Sequence, residues 1–234
     1  MQPTPPQIEF GALPRRTTCG DGTFPVFREL YEPIPRKLWQ PVSMRRHVTT
    51  IYSQLSTMCT ANGACGVMMV DRKFRGRIHN PVLSPENLFG QIASPGEGTS
   101  LDDILYRLVE FGVCTREEIP PENWHPKSWP ADWRTTAAQN CVLEWIDLDA
   151  DFDAVASCLQ RYQPCLVGVY WPGRRRAGHA VCVTELWTDG AQWGIGGPNS
   201  WGEDWGDDGF YRLTERECAD FGTFGCWALG STTA

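Results

Sequence analysis

The order of its periodic segments predicts an α+β fold in two lobes, helices first and antiparallel strands later. Three observations carry this. A small, apolar run at 59–70 and an amphipathic segment at 98–114 read as helices. A third helical pattern occupies 151–162. From residue 164 the pattern changes to short strand-like runs, "PCLVGVYW", "HAVCVTEL", "QWGIGG" and "GFYRLT". The lobes are expected to divide near residue 145, helical over about 54–145 and β-rich over about 146–225. A groove between such lobes is a common place for a ligand.

Each element has a local reason. Residues 1–42 hold eight prolines and little periodicity, and read as an extended arm packed on a body that spans 43–234, with room for a short strand. In "CTANGACGVMMV" (59–70) Gly63 and Gly66 lower helix propensity, so a helix there implies tight packing. In "GTSLDDILYRLVEFGVC" Ser100 can cap with Asp103 three residues on, and Gly112 fits the stop. Leu101, Ile104, Leu105, Leu108 and Val109 share one face of that helix. Residues 115–140, crowded with proline and tryptophan around "PPENWHPKSWPADW", read as loop. The helix "DFDAVASCLQRY" ends before Pro164.

Composition narrows the function. A net charge of −7 argues against nucleic acid as a partner. No apolar run approaches the ~20 residues that span a bilayer, and the N-terminus lacks a secretory layout. The default expectation is a cytoplasmic protein whose ten cysteines are reduced thiols, many of them in the core. No C-x-x-C or zinc-finger spacing occurs, so neither a metal nor another cofactor is expected.

Chemistry is suggested by three places. Cys59 stands at the start of the first helix, where the dipole and free N–H groups favour a thiolate. His179 opens the strand "HAVCVTEL" after the basic stretch "GRRRAG", at an expected groove edge. In "PNSWGEDWGDDGFYRL" (198–213), Asn199 can accept the second imidazole N–H, with Trp201 shielding that bond from water.

These stretches together resemble the papain-like cysteine peptidases, in a compact form without a pro-segment. "NSWG" at 199–202, followed by Trp205-Gly206 and Gly209-Phe210-Tyr211, resembles the family's asparagine motif, and "GHAVCV" its histidine motif. "SMRRHVTTIYSQ" and "CTANGA" resemble the approach to the nucleophile, and similarity continues through "LSPENLFG", "GEGTSLDDILYRLVEFGV" and "DAVASCLQRYQPCLVGV", roughly 43–214 in all. The resemblance implies a papain-like fold and hydrolysis of peptide bonds in an extended peptide or protein. It implies Cys59 as nucleophile, His179 as base and then acid, Asn199 as the orienting group and Gln54 as the oxyanion-hole amide. It also implies that Gly96 and Gly98 pair with substrate backbone.

The sequence departs from the family in places. Gln54 lies five residues before Cys59, and the family's glutamine usually stands one residue further upstream, where Ser53 is. Thr60 replaces the usual aromatic after the cysteine, and Pro198 precedes Asn199. The 120 residues from Cys59 to His179 are slightly fewer than the ~130–150 of the papain type. Two alternatives stand beside a peptidase: an amidase or isopeptidase using the same triad, and a non-catalytic papain-fold component of a larger assembly. Cys65 reads as core, and His47, His79 and His125 as surface or loop. Arg174–Arg176 read as a solvated loop, and Asp204, Asp207 and Asp208 as turn carboxylates, since their spacing fits no calcium loop.

Overall fold

The computed structural model of the 234-residue chain describes residues 10–16, 24–174, 177–219 and 221–232. In chain order the elements are β1 (Ala12–Leu13), α1 (Phe27–Leu30), β2 (Val42–Ser43), α2 (Cys59–Phe74), α3 (Pro85–Gly90), β3 (Thr99–Ser100), α4 (Leu101–Glu110), α5 (Trp133–Ala137) and β4 (Val142–Asp147). They continue with α6 (Phe152–Gln160), β5 (Cys165–Tyr170), β6 (Gly178–Val183), β7 (Glu185–Thr188), β8 (Trp193–Pro198), β9 (Phe210–Thr214), α7 (Phe221–Phe224) and β10 (Cys226–Thr232).

Two four-stranded antiparallel sheets form the second half. One has the order β4-β10-β5-β6 and the other β2-β7-β8-β9. Strands β6 and β7 are separated only by Thr184, whose N–H donates to the Gly196 carbonyl at 2.8 Å. The polypeptide therefore turns a corner from one sheet into the other at a single residue. One apolar core fills the space between the sheets and α6, and a second gathers α2 and α4 against β6 and β10.

Helix α2 is buried along nearly its whole length, and its two glycines are where it touches the sheet. A Cβ at position 63 would come within 2.8 Å of the Leu166 side chain, and one at position 66 within 3.3 Å of Cys182 Cβ. Close approach explains why poor helix formers stand in this helix. Cys65 is fully buried beside them.

Helix α4 begins as expected: the Ser100 hydroxyl accepts the Asp103 N–H at 3.2 Å. Leu101, Ile104, Leu105 and Leu108 are completely buried, each contributing roughly 1.5–3 kcal/mol. Val109 is not part of that stripe and is 38% exposed. Helix α6 starts at the Asp151 cap, whose carboxylate accepts the Asp153 N–H at 2.9 Å.

Other features depart from the sequence reading. The 115–140 stretch is not wholly loop, because it holds α5 and two 3₁₀ turns, with Trp129 and Trp133 packed edge-to-face at 5.0 Å. Strand β4 runs through residue 145, so the expected lobe divide falls inside a strand. Strand β10, at the far end of the chain, inserts between β4 and β5. The run "HAVCVTEL" is two strands rather than one, broken at Thr184.

Candidate active site

Cys59 is the first residue of α2, and no side chain caps that helix end. The first N–H groups of the helix are thus left for another acceptor. His179 lies second in β6, in register opposite Val169. Its Nε2 is 2.8 Å from Asn199 Oδ1, and its Nδ1 has no hydrogen-bond partner among the described residues.

Asn199 is held from both sides. Its N–H donates to the Gly209 carbonyl at 2.8 Å, and its Oδ1 also accepts the Ser200 N–H at 2.8 Å. Gly209 has φ +81°, a left-handed conformation that closes the turn carrying the asparagine, and a Cβ there would meet Ile51. Pro198 ends β8 opposite Phe210, so the proline precedes a turn already fixed by pairing.

Aromatic rings enclose the imidazole. Trp201 stacks on it with centroids 4.6 Å apart at 21°, and Trp171 meets it edge-on at 5.1 Å and 90°. Trp205 packs in turn on Trp201 at 4.8 Å. The shielding role expected for Trp201 has its geometry here, and Trp171 shares it. The sequence pattern ends a strand at Trp171, and its place one residue beyond β5, beside the strand that carries His179, is the signal for this contact.

The groove also holds the chain's own N-terminal arm. Phe10 packs edge-on against His179 at 5.7 Å and against Trp201 at 5.8 Å. The Gly11 backbone approaches the Cys59 sulfur closely enough to favour its thiolate, and its carbonyl accepts the Thr99 N–H at 2.9 Å. Position 11 must be glycine for this seat, because a Cβ would lie 1.8 Å from the Thr57 carbonyl oxygen. Strand β1 then pairs parallel with β3, Ala12 opposite Thr99 and Leu13 opposite Ser100. Beyond it, Arg15 pairs with Asp147 at 3.0 Å and lies over the Trp227 ring, and the Arg16 N–H donates to Asp102 at 2.7 Å. The arm is therefore seated in the groove rather than laid on the outer surface.

Covering sets the charge state. Burial pushes the Cys59 thiol up, against backbone hydrogen bonds from Ala180, Gly11, Thr60 and its own amide that favour the thiolate. Burial likewise pushes the His179 imidazole down to about 4, only partly offset by the bond to Asn199. The helix N-terminus alone predicts a lowered thiol pKa, but loss of water outweighs it here. With the arm in place both groups are neutral near pH 7.

The remaining sequence candidates fall as follows. Gln54 is buried, its N–H donates to the Ser200 carbonyl at 2.8 Å, and its side-chain Nε2 donates to the Ser56 carbonyl at 2.9 Å. Its Oε1 accepts the Ser200 hydroxyl, so the amide is tied to the Asn199 turn. Gly98 abuts the Gly11 carbonyl, whereas Gly96, with φ +87°, lies on an exposed turn and donates its N–H to Ser56 Oγ at 2.9 Å. His79 and His125 are exposed and His47 is half-buried. Asp207 and Asp208 both face Arg45, and that pairing holds the Asp207 carboxyl below its usual range. Of the basic run, Arg174 is exposed, and Arg175 and Arg176 lie outside the described residues.

Residues 110–223 match the family model described as Papain family cysteine protease. That stretch includes His179 and Asn199, whereas Cys59 precedes it. The fold is papain-like, and the second half of the chain is similar to the papain family of cysteine proteases. Among solved structures the chain is similar to xylellain, a cysteine protease from Xylella fastidiosa, at 17% identity and a TM-score of 0.79, covering 99% of each chain. It is also similar to the digestive procathepsin L2 proteinase of the Tenebrio molitor larval midgut, at 17% identity and a TM-score of 0.75, over 97% of this chain and 78% of that one. The proCathepsin B S9 of Trypanosoma congolense follows at 15% identity and 0.72, over 97% and 87%. At these identities the likeness is one of fold. No curated protein matches the chain by sequence.

Proposed function

We propose that the chain hydrolyses peptide bonds through a Cys59 acyl-enzyme, with His179 and Asn199 completing a triad. The observation that carries this is the 2.8 Å contact of His179 Nε2 with Asn199 Oδ1, which leaves Nδ1 unpartnered within the site. Asn199 Oδ1 can only accept, so Nε2 carries a hydrogen and Nδ1 of the neutral ring has a lone pair for a proton. In this reading Nδ1 takes the Cys59 proton, and the sulfur attacks the scissile carbonyl carbon. The oxyanion meets the Cys59 backbone N–H and the Gln54 amide. Imidazolium then protonates the leaving amine as the C–N bond breaks, leaving a thioester. Water, deprotonated by His179, cleaves the thioester, releasing the carboxylic acid and restoring the thiol.

Extended polypeptide is favoured over an isopeptide or a cell-wall amide by what already sits in the groove: an extended backbone paired with Thr99 and Ser100. Substrate and arm compete for this edge, so turnover requires residues 10–13 to withdraw. Peptide-library cleavage tests the reading, run on wild-type protein, Cys59→Ala and His179→Ala. Cleavage that both substitutions abolish is expected. Cleavage that persists in Cys59→Ala overturns the assignment of the nucleophile.

A further inference from the structure

The other end of α2 carries a second feature, roughly 20 Å along the helix from Cys59 at 1.5 Å per residue. A cavity of about 460 Å³ opens there, lined among others by Arg72, Arg77, His79, Glu118 and Asn140. Arg72 is only 5% exposed, and its guanidinium donates to Asn140 Oδ1 at 2.8 Å. No carboxylate among the described residues forms an ion pair with Arg72 or with the exposed Arg77. The nearby Asp71 is engaged by Arg75 at 2.9 Å, and Glu118 accepts the Thr115 N–H and hydroxyl at 2.9 and 3.1 Å.

A buried cation beside a second cation is expensive unless an anion compensates it. The helix C-terminus is an insufficient explanation, because the guanidinium donates to Asn140 and not to a helix carbonyl. That bond also fixes the Asn140 amide. A guanidinium only donates, so Oδ1 faces Arg72 and Nδ2 is left as a donor. Arg72, Arg77 and the Asn140 amide thus present donors in a protein of net charge −7. We infer that this cavity is a binding site for a phosphate-bearing small molecule, separate from the peptidase groove. The volume exceeds what bare phosphate needs and suits a phosphorylated metabolite. Paired guanidinium groups match phosphate oxygens geometrically.

The test is calorimetric titration of the full chain carrying Cys59→Ala, so that its result does not depend on the peptidase reading. Pyrophosphate is the probe, with inorganic phosphate and succinate as comparison arms. Saturable binding with Kd of about 1 mM or tighter is expected. Arg77→Ala, an exposed substitution that leaves the core intact, should weaken it about tenfold or more. Arg72→Gln should remove it, with retained folding checked by circular dichroism. Absence of saturable heat at tens of millimolar probe, or Arg77→Ala binding as tightly as its parent, overturns the site. Tighter binding of succinate than of pyrophosphate overturns the assignment to phosphate.

Discussion

The two halves of the candidate active site are built differently. On the β-sheet side, His179, Asn199 and Trp201 form a bonded, ring-packed unit whose polar links lie within one stretch of chain, 178–211. On the helical side, Cys59 bonds to no other side chain among the described residues and is met by backbone from Gly11 and Ala180. The bond and ring stack that join His179 to Asn199 and Trp201 do not pass through the arm, whereas the backbone that meets the Cys59 sulfur includes it. A site of this construction can be kept assembled and yet uncharged, because the arm changes solvation without disturbing the imidazole's hinge.

Substitutions in each half should separate these roles. The largest effect is expected from Cys59→Ala, which should lower peptide cleavage to background, a loss of about 10⁴-fold or more, while leaving the melting curve nearly unchanged. Gln54→Ala should lower kcat by about 10²–10³-fold if its amide reaches the oxyanion. A loss below threefold would mean that its bonds to Ser56 and Ser200 hold it away from the reaction. Asn199→Ala frees the imidazole to turn, and a misplaced base should reduce kcat/KM by about 10²-fold. Chemical labelling of Cys59 reads the arm directly. Gly11→Val cannot seat against the Thr57 carbonyl, so iodoacetamide should modify Cys59 about tenfold faster or more than in wild type. Equal rates would show that the arm does not limit access.

The smallest expected effect is a pH dependence of covering. The ordinary imidazole value is 6.5, and in the covered site it falls to about 4. An uncovered or unfolded His179 takes up its proton below about 6.5, while the covered one stays neutral until near 4. The uncovered state binds more protons in that window, so acidification weakens covering. Hydrogen exchange of residues 10–16, corrected for intrinsic rates, should accelerate between pH 6.5 and 4. Exchange that slows over this range would contradict the sign.

The legibility of the fold follows the same division. The Asn199 turn could be read because tryptophan, glycine and asparagine each leave a side-chain signature at fixed spacing. Ser100 and the leucines of α4 were legible from capping and periodicity, and only Val109 exceeded the buried stripe. The place of the arm was not legible, since Gly11 and β1 engage the groove through backbone, which every residue possesses. Strand β10 was hidden for another reason. "CWALGST" alternates poorly, and its place between β4 and β5 is decided by partners 59 or more residues away in sequence.

The single-residue corner at Thr184 has a mechanical consequence. His179 rides on β6 of one sheet and Asn199 follows β8 of its neighbour, so the bond between them spans the seam. It acts as a gauge of the angle between two plates that share one hinge. Heat, pressure or a poorly chosen core substitution far from the groove that opens the seam by a fraction of an ångström would lengthen that contact first. Loss of catalysis should therefore precede loss of secondary structure on gentle denaturation.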